Sequence, residues 1–232
     1  MSGSGFNFTS FYATWFDHLH RLVDQLSSTA KDNHNSSSAP DHLVQTVMSH
    51  YSDYYRVKSM AAERDPLSVF SAPWATSLER SLHWIAGWRP TTTFHLIYTE
   101  SSILFESRIF DILRGLHTGD LGDLSPSQIR RVSELQCETV EEENAITEEL
   151  SEWQDDVSEL LGTRTEVTGR VEGLVNIIKK ADALRLRTVQ KVVELLTPKQ
   201  AVEFFIAAAE LQFGVRGWGL DQDRQRGNDR GH

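Results

Sequence analysis

At 232 residues and 39% hydrophobic content, the chain is long enough for one large domain or two small ones around a real core. A formal charge of −10 and a pI near 5.4 exclude wrapping nucleic acid as the main task, since phosphate binding relies on clustered Lys and Arg. Cys137 is the only cysteine, and the start MSGSGFNFTS lacks a basic-then-apolar leader; these features exclude an intrachain disulfide and a thiolate zinc site, and with no bilayer-length apolar run they predict an intracellular, membrane-free protein.

The first element is an amphipathic helix from Phe8 to Leu26, with Phe8, Phe11, Tyr12, Trp15, Phe16, Leu19, Leu22, Val23 and Leu26 at three-and-four spacing. His18 and His20 fall on different faces, which suits surface histidines better than paired metal ligands. Residues 27–40 are rich in Ser, Asn and Asp and read as a flexible linker. Helix two follows from Asp41 to about Arg64, where Asp65-Pro66 stops it. Its apolar face includes Tyr51, Tyr54, Tyr55 and Lys58, and the tyrosine spacing is that of packing against neighbours rather than cradling a ligand.

After a loop carrying Pro73 and Trp74, Thr76 and Glu79 form a capping box that opens helix three. This helix runs into LHWIAGWRPTTTF, residues 82–94, the stretch around which the chain is organised. Trp84 and Ile85 face a core, Gly87 offers permissive backbone for the helix to stop, and Pro90 forces Arg89 into an extended conformation. Trp84, Trp88, Arg89 and Pro90 are thus the candidate corner. Two readings stand: Trp88 plugs a helix junction while Arg89 caps carbonyls or pairs with an acid, or Trp88 and Arg89 form a binding hot spot.

Helix four runs from the threonines to Leu113 and ends in the segment from Gly115 to Gly122. Ser125-Pro126-Ser127-Gln128 opens the long helix five with a cap, a first-turn proline and a capping-box glutamine. Between Glu134 and Glu159 that helix carries eleven acids and no Lys or Arg. Helix six, after a short connection from Gly162 to Gly169, has seven Lys and Arg against three acids from Arg170 to Lys199. The two are expected to fold back as a long antiparallel pair, acid against base; the alternatives are a solvated acidic face or one docking a basic partner. Thr197-Pro198 starts helix seven, and the polar, glycine-rich end reads as a disordered tail over 220–232. The whole is an all-α single domain of about seven helices over 8–219.

No phosphate loop, His-Glu-x-x-His pair, nucleophile elbow or kinase signature occurs, and the nine histidines are scattered, so catalysis has no positive support. The segments HYSDYYRVKSMAAERDP, PWATSLERSLHWIAGWRP, LSPSQIRRVSELQ, IIKKADALRLRTVQKVVELLTPKQAVEFF and the closing GWG resemble the plant delay-of-germination (dormancy) family, in order and from Phe11 to about Gly219. The same domain follows the zipper in TGA-type bZIP transcription factors, but the basic region and heptads are lacking here.

The resemblance implies a non-enzymatic regulator of seed dormancy and abscisic acid signalling, in nucleus and cytoplasm. Its implied partner is a type 2C protein phosphatase or a bZIP factor, with a homodimer left open. Some members of the family bind haem through two histidines one helical turn apart before the closing Trp-Gly. Gln212 and Arg216 occupy the corresponding positions, so no cofactor is expected.

Overall fold

The computed structural model describes residues 7–31, 38–114, 116, 118–155 and 164–229. Among them are nine α-helices and one 3-10 turn, with no strand: α1 (Phe8–Lys31), α2 (Ser38–Arg64), α3 (Pro66–Ser71), α4 (Ser77–Leu82), α5 (Thr92–Ser107), α6 (Ile109–Leu113), the 3-10 turn (Leu121–Asp123), α7 (Pro126–Asp155), α8 (Arg164–Leu195) and α9 (Pro198–Asp229). The all-α single-domain expectation holds, with helices that local chemistry subdivides more finely than periodicity does. Asp65 does stop α2, but its carboxylate accepts the Ser68 amide and Pro66 takes the first turn of α3, so a stop signal is also a start. The expected fourth helix breaks at Arg108 into α5 and α6.

Three capping boxes set helix starts. Thr76 and Glu79 exchange side-chain-to-amide bonds of 2.7 and 3.2 Å at α4. Ser125 and Gln128 do the same at α7, and Thr197 with Gln200 at α9. Gln128 also donates from Nε2 to the Leu195 carbonyl and to Gln200, tying the start of α7 to the end of α8.

α1 and α2 lie antiparallel, joined by Trp15 and His50, whose rings stack at 4.8 Å while each bonds the other's backbone carbonyl at 3.0 Å. α7 and α8 form the second antiparallel pair. Successive ion pairs Lys180–Glu149, Arg187–Glu142 and Lys191–Glu138 step backwards along α7 as they step forward along α8. The expected acid-against-base pairing is therefore real, with one correction: Lys179 turns to Glu63 on α2 instead. The connection also differs, because α8 begins at Arg164 and residues 164–169 are helical. Val157 and Leu160 of the expected seam, and Gly162, lie outside the described residues, as do residues 32–37 of the expected linker.

α9 runs antiparallel to α1, with Phe213 against Phe16 at 5.2 Å, and meets α2 where Tyr51 stacks on Phe205. Two apolar cores result, end to end: one around Trp15, Trp74, Trp84 and Ile178, the other around Phe94, Ile97, Val132, Val192 and Phe205. The corner joins them. The three clustered tyrosines of α2 pack as expected, Tyr54 tilted on Trp15 at 4.8 Å.

α9 continues through Gly217-Trp218-Gly219 to Asp229, so residues 220–229 of the expected disordered tail are helical, and residues 230–232 lie outside the described residues. Tertiary contact explains the continuation. Gly219 lies on the cap of α4, where a Cβ would come 2.1 Å from Thr76 Oγ1, and Asp223 accepts the Ser77 amide at 3.0 Å.

Candidate functional site: a corner held by buried charges

α4 ends at Leu82, and the backbone of the corner then takes left-handed conformations at Ile85 (φ 48) and Ala86 (φ 57). Such angles are costly for a β-branched residue and persist only when the surroundings impose them. Gly87 is not the residue that turns, contrary to the reading of the glycine as permissive backbone. Its need is space: a Cβ there would sit 3.0 Å from the Arg185 guanidinium carbon.

Two buried cations impose the turn. Lys58 on α2, fully buried, donates from Nζ to the Ala86 carbonyl at 2.7 Å and to Asp182 Oδ1 at 2.9 Å. Arg185 on α8 donates from Nε to the Trp88 carbonyl at 2.6 Å, from Nη2 to the Trp84 and Ile85 carbonyls, and from Nη1 to Asp182. Carbonyls that an irregular turn would leave unpaired in an apolar interior are thus satisfied by charge-assisted bonds. Asp182 balances both cations. The Trp84 amide closes the turn on the Gly87 carbonyl at 2.7 Å.

Of the four candidate residues, Trp84 is the buried plug, with its Nε1 donating to Thr147 on α7 at 2.9 Å and the Arg185 guanidinium over its ring at 5.3 Å. Trp88 is partly exposed and Pro90 is buried. Arg89 is half exposed, its Nε 3.9 Å from Glu143 Oε2. Carbonyl capping, one role considered for Arg89, belongs to Arg185. Glu143, buried on α7, accepts the Thr91 amide at 2.7 Å and the Thr91 hydroxyl at 3.2 Å, placing a carboxylate at the N-terminus of α5 where the helix dipole favours it.

Lys58, Asp182 and Arg185 were not among the sequence candidates. Their signal was present: Lys58 follows Tyr51 and Tyr54 on the apolar face of α2, and Asp182 and Arg185 interrupt the buried run Ile178, Ala181, Leu184. Charges at core-facing positions announce partners, though not which ones.

Burial shapes the acid–base behaviour here. It lowers Lys58 to about 8, against the opposing pull of Asp182. His83, at the end of α4, is lowered to about 4 by burial first and by the cations Lys58, Arg185 and Arg80 next. Tyr51, Tyr54 and Tyr55 are pushed well up by burial, and Tyr12 to about 12 by burial and Glu79.

Gln212 and Arg216 stand one turn apart on α9, and Arg216 is fully engaged. Arg216 lies over the rings of Tyr12 and Phe16 at 5.0 and 4.9 Å, bonds the Trp74 carbonyl at 3.2 Å and pairs with Glu79 at 3.1 Å. Gln212 lies near the Tyr12 hydroxyl. An amide and a guanidinium paired with a carboxylate do not fit the iron of a haem as imidazoles do. Among the described residues no group of three or more His, Cys, Asp or Glu could hold a metal, and no helix is long and apolar enough to cross a membrane.

The described residues thus form a helical bundle in which a few buried polar groups hold one irregular corner. Residues 18–99, which include α2 and the whole corner, match the family model described as seed dormancy control. Along its length the chain is similar to Protein DOG1-like 4 of Arabidopsis thaliana, 28% identical over 91% of each chain. It is also similar to transcription factor TGA5 of Arabidopsis thaliana, 30% identical over 88% of this chain and 61% of that one. With transcription factor HBP-1b(c38) of Triticum aestivum it shares 27% identity over 93% of this chain and 65% of that factor. The chain is thus similar to the seed dormancy control model over residues 18–99 and to a delay-of-germination protein along most of its length, while its similarity to the two TGA-type factors spans under two thirds of those longer proteins.

Proposed function

We propose that the chain is a non-enzymatic plant regulator of seed dormancy and germination, linked to abscisic acid signalling, that acts through protein contacts. The observation that carries this reading is the similarity to Protein DOG1-like 4 over 91% of both chains. The inward pairing of Lys58, Asp182, Arg185 and Arg216 supports it, since these groups hold backbone and one another. The partner is a type 2C protein phosphatase, met at the outer edge of the corner by Trp88 and Arg89, with Trp84 and Pro90 supporting them from beneath. The protein works in nucleus and cytoplasm, without haem, and contacts neither DNA nor membrane itself.

A second reading is a transcription-regulatory module that reaches DNA through a bZIP partner, favoured by the similarity to TGA5 and HBP-1b(c38). Capture of partners from imbibed-seed extract on the purified chain separates the two. Phosphatases retained by the native chain and lost with Arg89→Glu support the first; bZIP factors in their place establish the second. The haem statement is checked apart, by haemin titration: a low-spin bis-histidine Soret spectrum at one equivalent would overturn it.

A further inference from the structure

Behind the corner lies a pocket of about 120 Å³, walled by Tyr51 and Tyr55 of α2, Trp88, and Phe204 and Phe205 of α9, with Arg89 at its rim. An apolar cavity of about 150 Å³ accepts benzene, so this space takes one ring and little more. Its walls combine these aromatic rings with the aliphatic side chains of Leu96, Leu186, Val189 and Leu211, an apolar surface that suits a flat guest.

Some of its polar groups are uncommitted. The hydroxyls of Tyr51 and Tyr55 have no hydrogen-bond partner among the described residues, and burial holds both protonated as donors. Arg185 also borders the space, but its guanidinium is taken up by three carbonyls and Asp182. Arg89 is different. It is half exposed, its one acid neighbour stands at 3.9 Å, and that acid is already engaged by Thr91. A cation with free donors at the mouth of an aromatic pocket selects an anion carried by an apolar body.

We propose that this pocket binds a small single-ring carboxylic acid, its ring between Trp88 and the two phenylalanines, its carboxylate on Arg89, and any ring oxygen on the tyrosine hydroxyls. The ligand adds to the packing of α9 against the corner, so occupancy stabilises the junction of the two cores.

The test uses the full chain and phenylacetate as probe, read by titration calorimetry and by saturation transfer to the ring protons. Saturable one-site binding is expected. Phenylacetamide, which keeps the ring and loses the charge, should bind about tenfold more weakly, and Arg89→Gln should weaken phenylacetate by about the same factor without changing phenylacetamide. Ala208→Trp, placed in the pocket wall, should abolish both. Leu211→Trp, at a more exposed lining position, provides a second block that leaves the core untouched. Absence of saturable binding at millimolar probe overturns the proposal, as does equal binding of acid and amide, or full binding by both tryptophan variants with native helix content.

Discussion

α8 carries charges of two kinds on opposite faces. Asp182 and Arg185 are almost wholly buried, and with Lys58 they hold the corner; Lys180, Arg187 and Lys191 are partly exposed and pair across to α7. The chemistry is the same in both, and its consequence is not. In the exposed row each pair exchanges water for a partner at little net gain, about 0–1 kcal/mol. In the buried set, removing one member leaves an uncompensated charge in the core, at a cost of several kcal/mol. What the two faces teach is that the number of ion pairs says little until the solvent around each is known.

The largest effect tests that difference directly. Asp182→Asn strands both Lys58 and Arg185 and should destabilise by about 3–5 kcal/mol in denaturant unfolding, with Lys58→Met on top restoring part of the loss. A loss under about 1 kcal/mol would put the buried set on the same footing as the exposed row. Arg216 is the intermediate case, partly buried against buried Glu79. Arg216→Met leaves that carboxylate with its Thr76 amide and should cost about 1.5–3 kcal/mol.

The pH dependence separates the faces again. His83 has its folded pKa lowered to about 4, so the folded state binds fewer protons than the unfolded one between there and the ordinary value; stability therefore falls as pH drops through that window. His83→Gln should reduce that slope in acid melting curves, leaving the part due to His50, whose folded value burial also lowers. At the alkaline side the sign reverses. Tyr12, Tyr51, Tyr54 and Tyr55 have raised folded values, so their contribution is present below the ordinary tyrosine range and lost as pH climbs above it. Absorbance at the tyrosinate band should show these four of the five tyrosines ionising with unfolding and not before it.

The smallest effect belongs to the exposed row. Reversing Lys180, Arg187 and Lys191 to Glu should lower the melting temperature at low salt, with partial recovery at high salt as the screening length shrinks. Lys179→Glu should act separately, through Glu63 on α2. Unchanged melting with a lost partner would assign these bases to an interface and not to the helix pair.

The amino-acid sequence by itself determined the helices and most of their starts. Thr76 with Glu79, Ser125 with Gln128, and the prolines at 126 and 198 act within one helical turn, so their chemistry is complete before any tertiary contact forms. The apolar periodicity and the charge asymmetry of the long pair are equally local, and the direction of the α7–α8 pairing followed from them. Tertiary structure alone decided the corner and the end of α9. Lys58 and Asp182 are 124 residues apart, and nothing near either says that they meet over the Ala86 carbonyl. Ile85 and Ala86, poor residues for a left-handed turn, adopt it because cations from two other helices take their carbonyls, while Gly87 is small because Arg185 must pass. α9 outlasts its glycines because Gly219 fits against Thr76 and Asp223 reaches Ser77. Where an element's partners lie within a turn, sequence suffices; where they arrive from another helix, only the packed molecule decides.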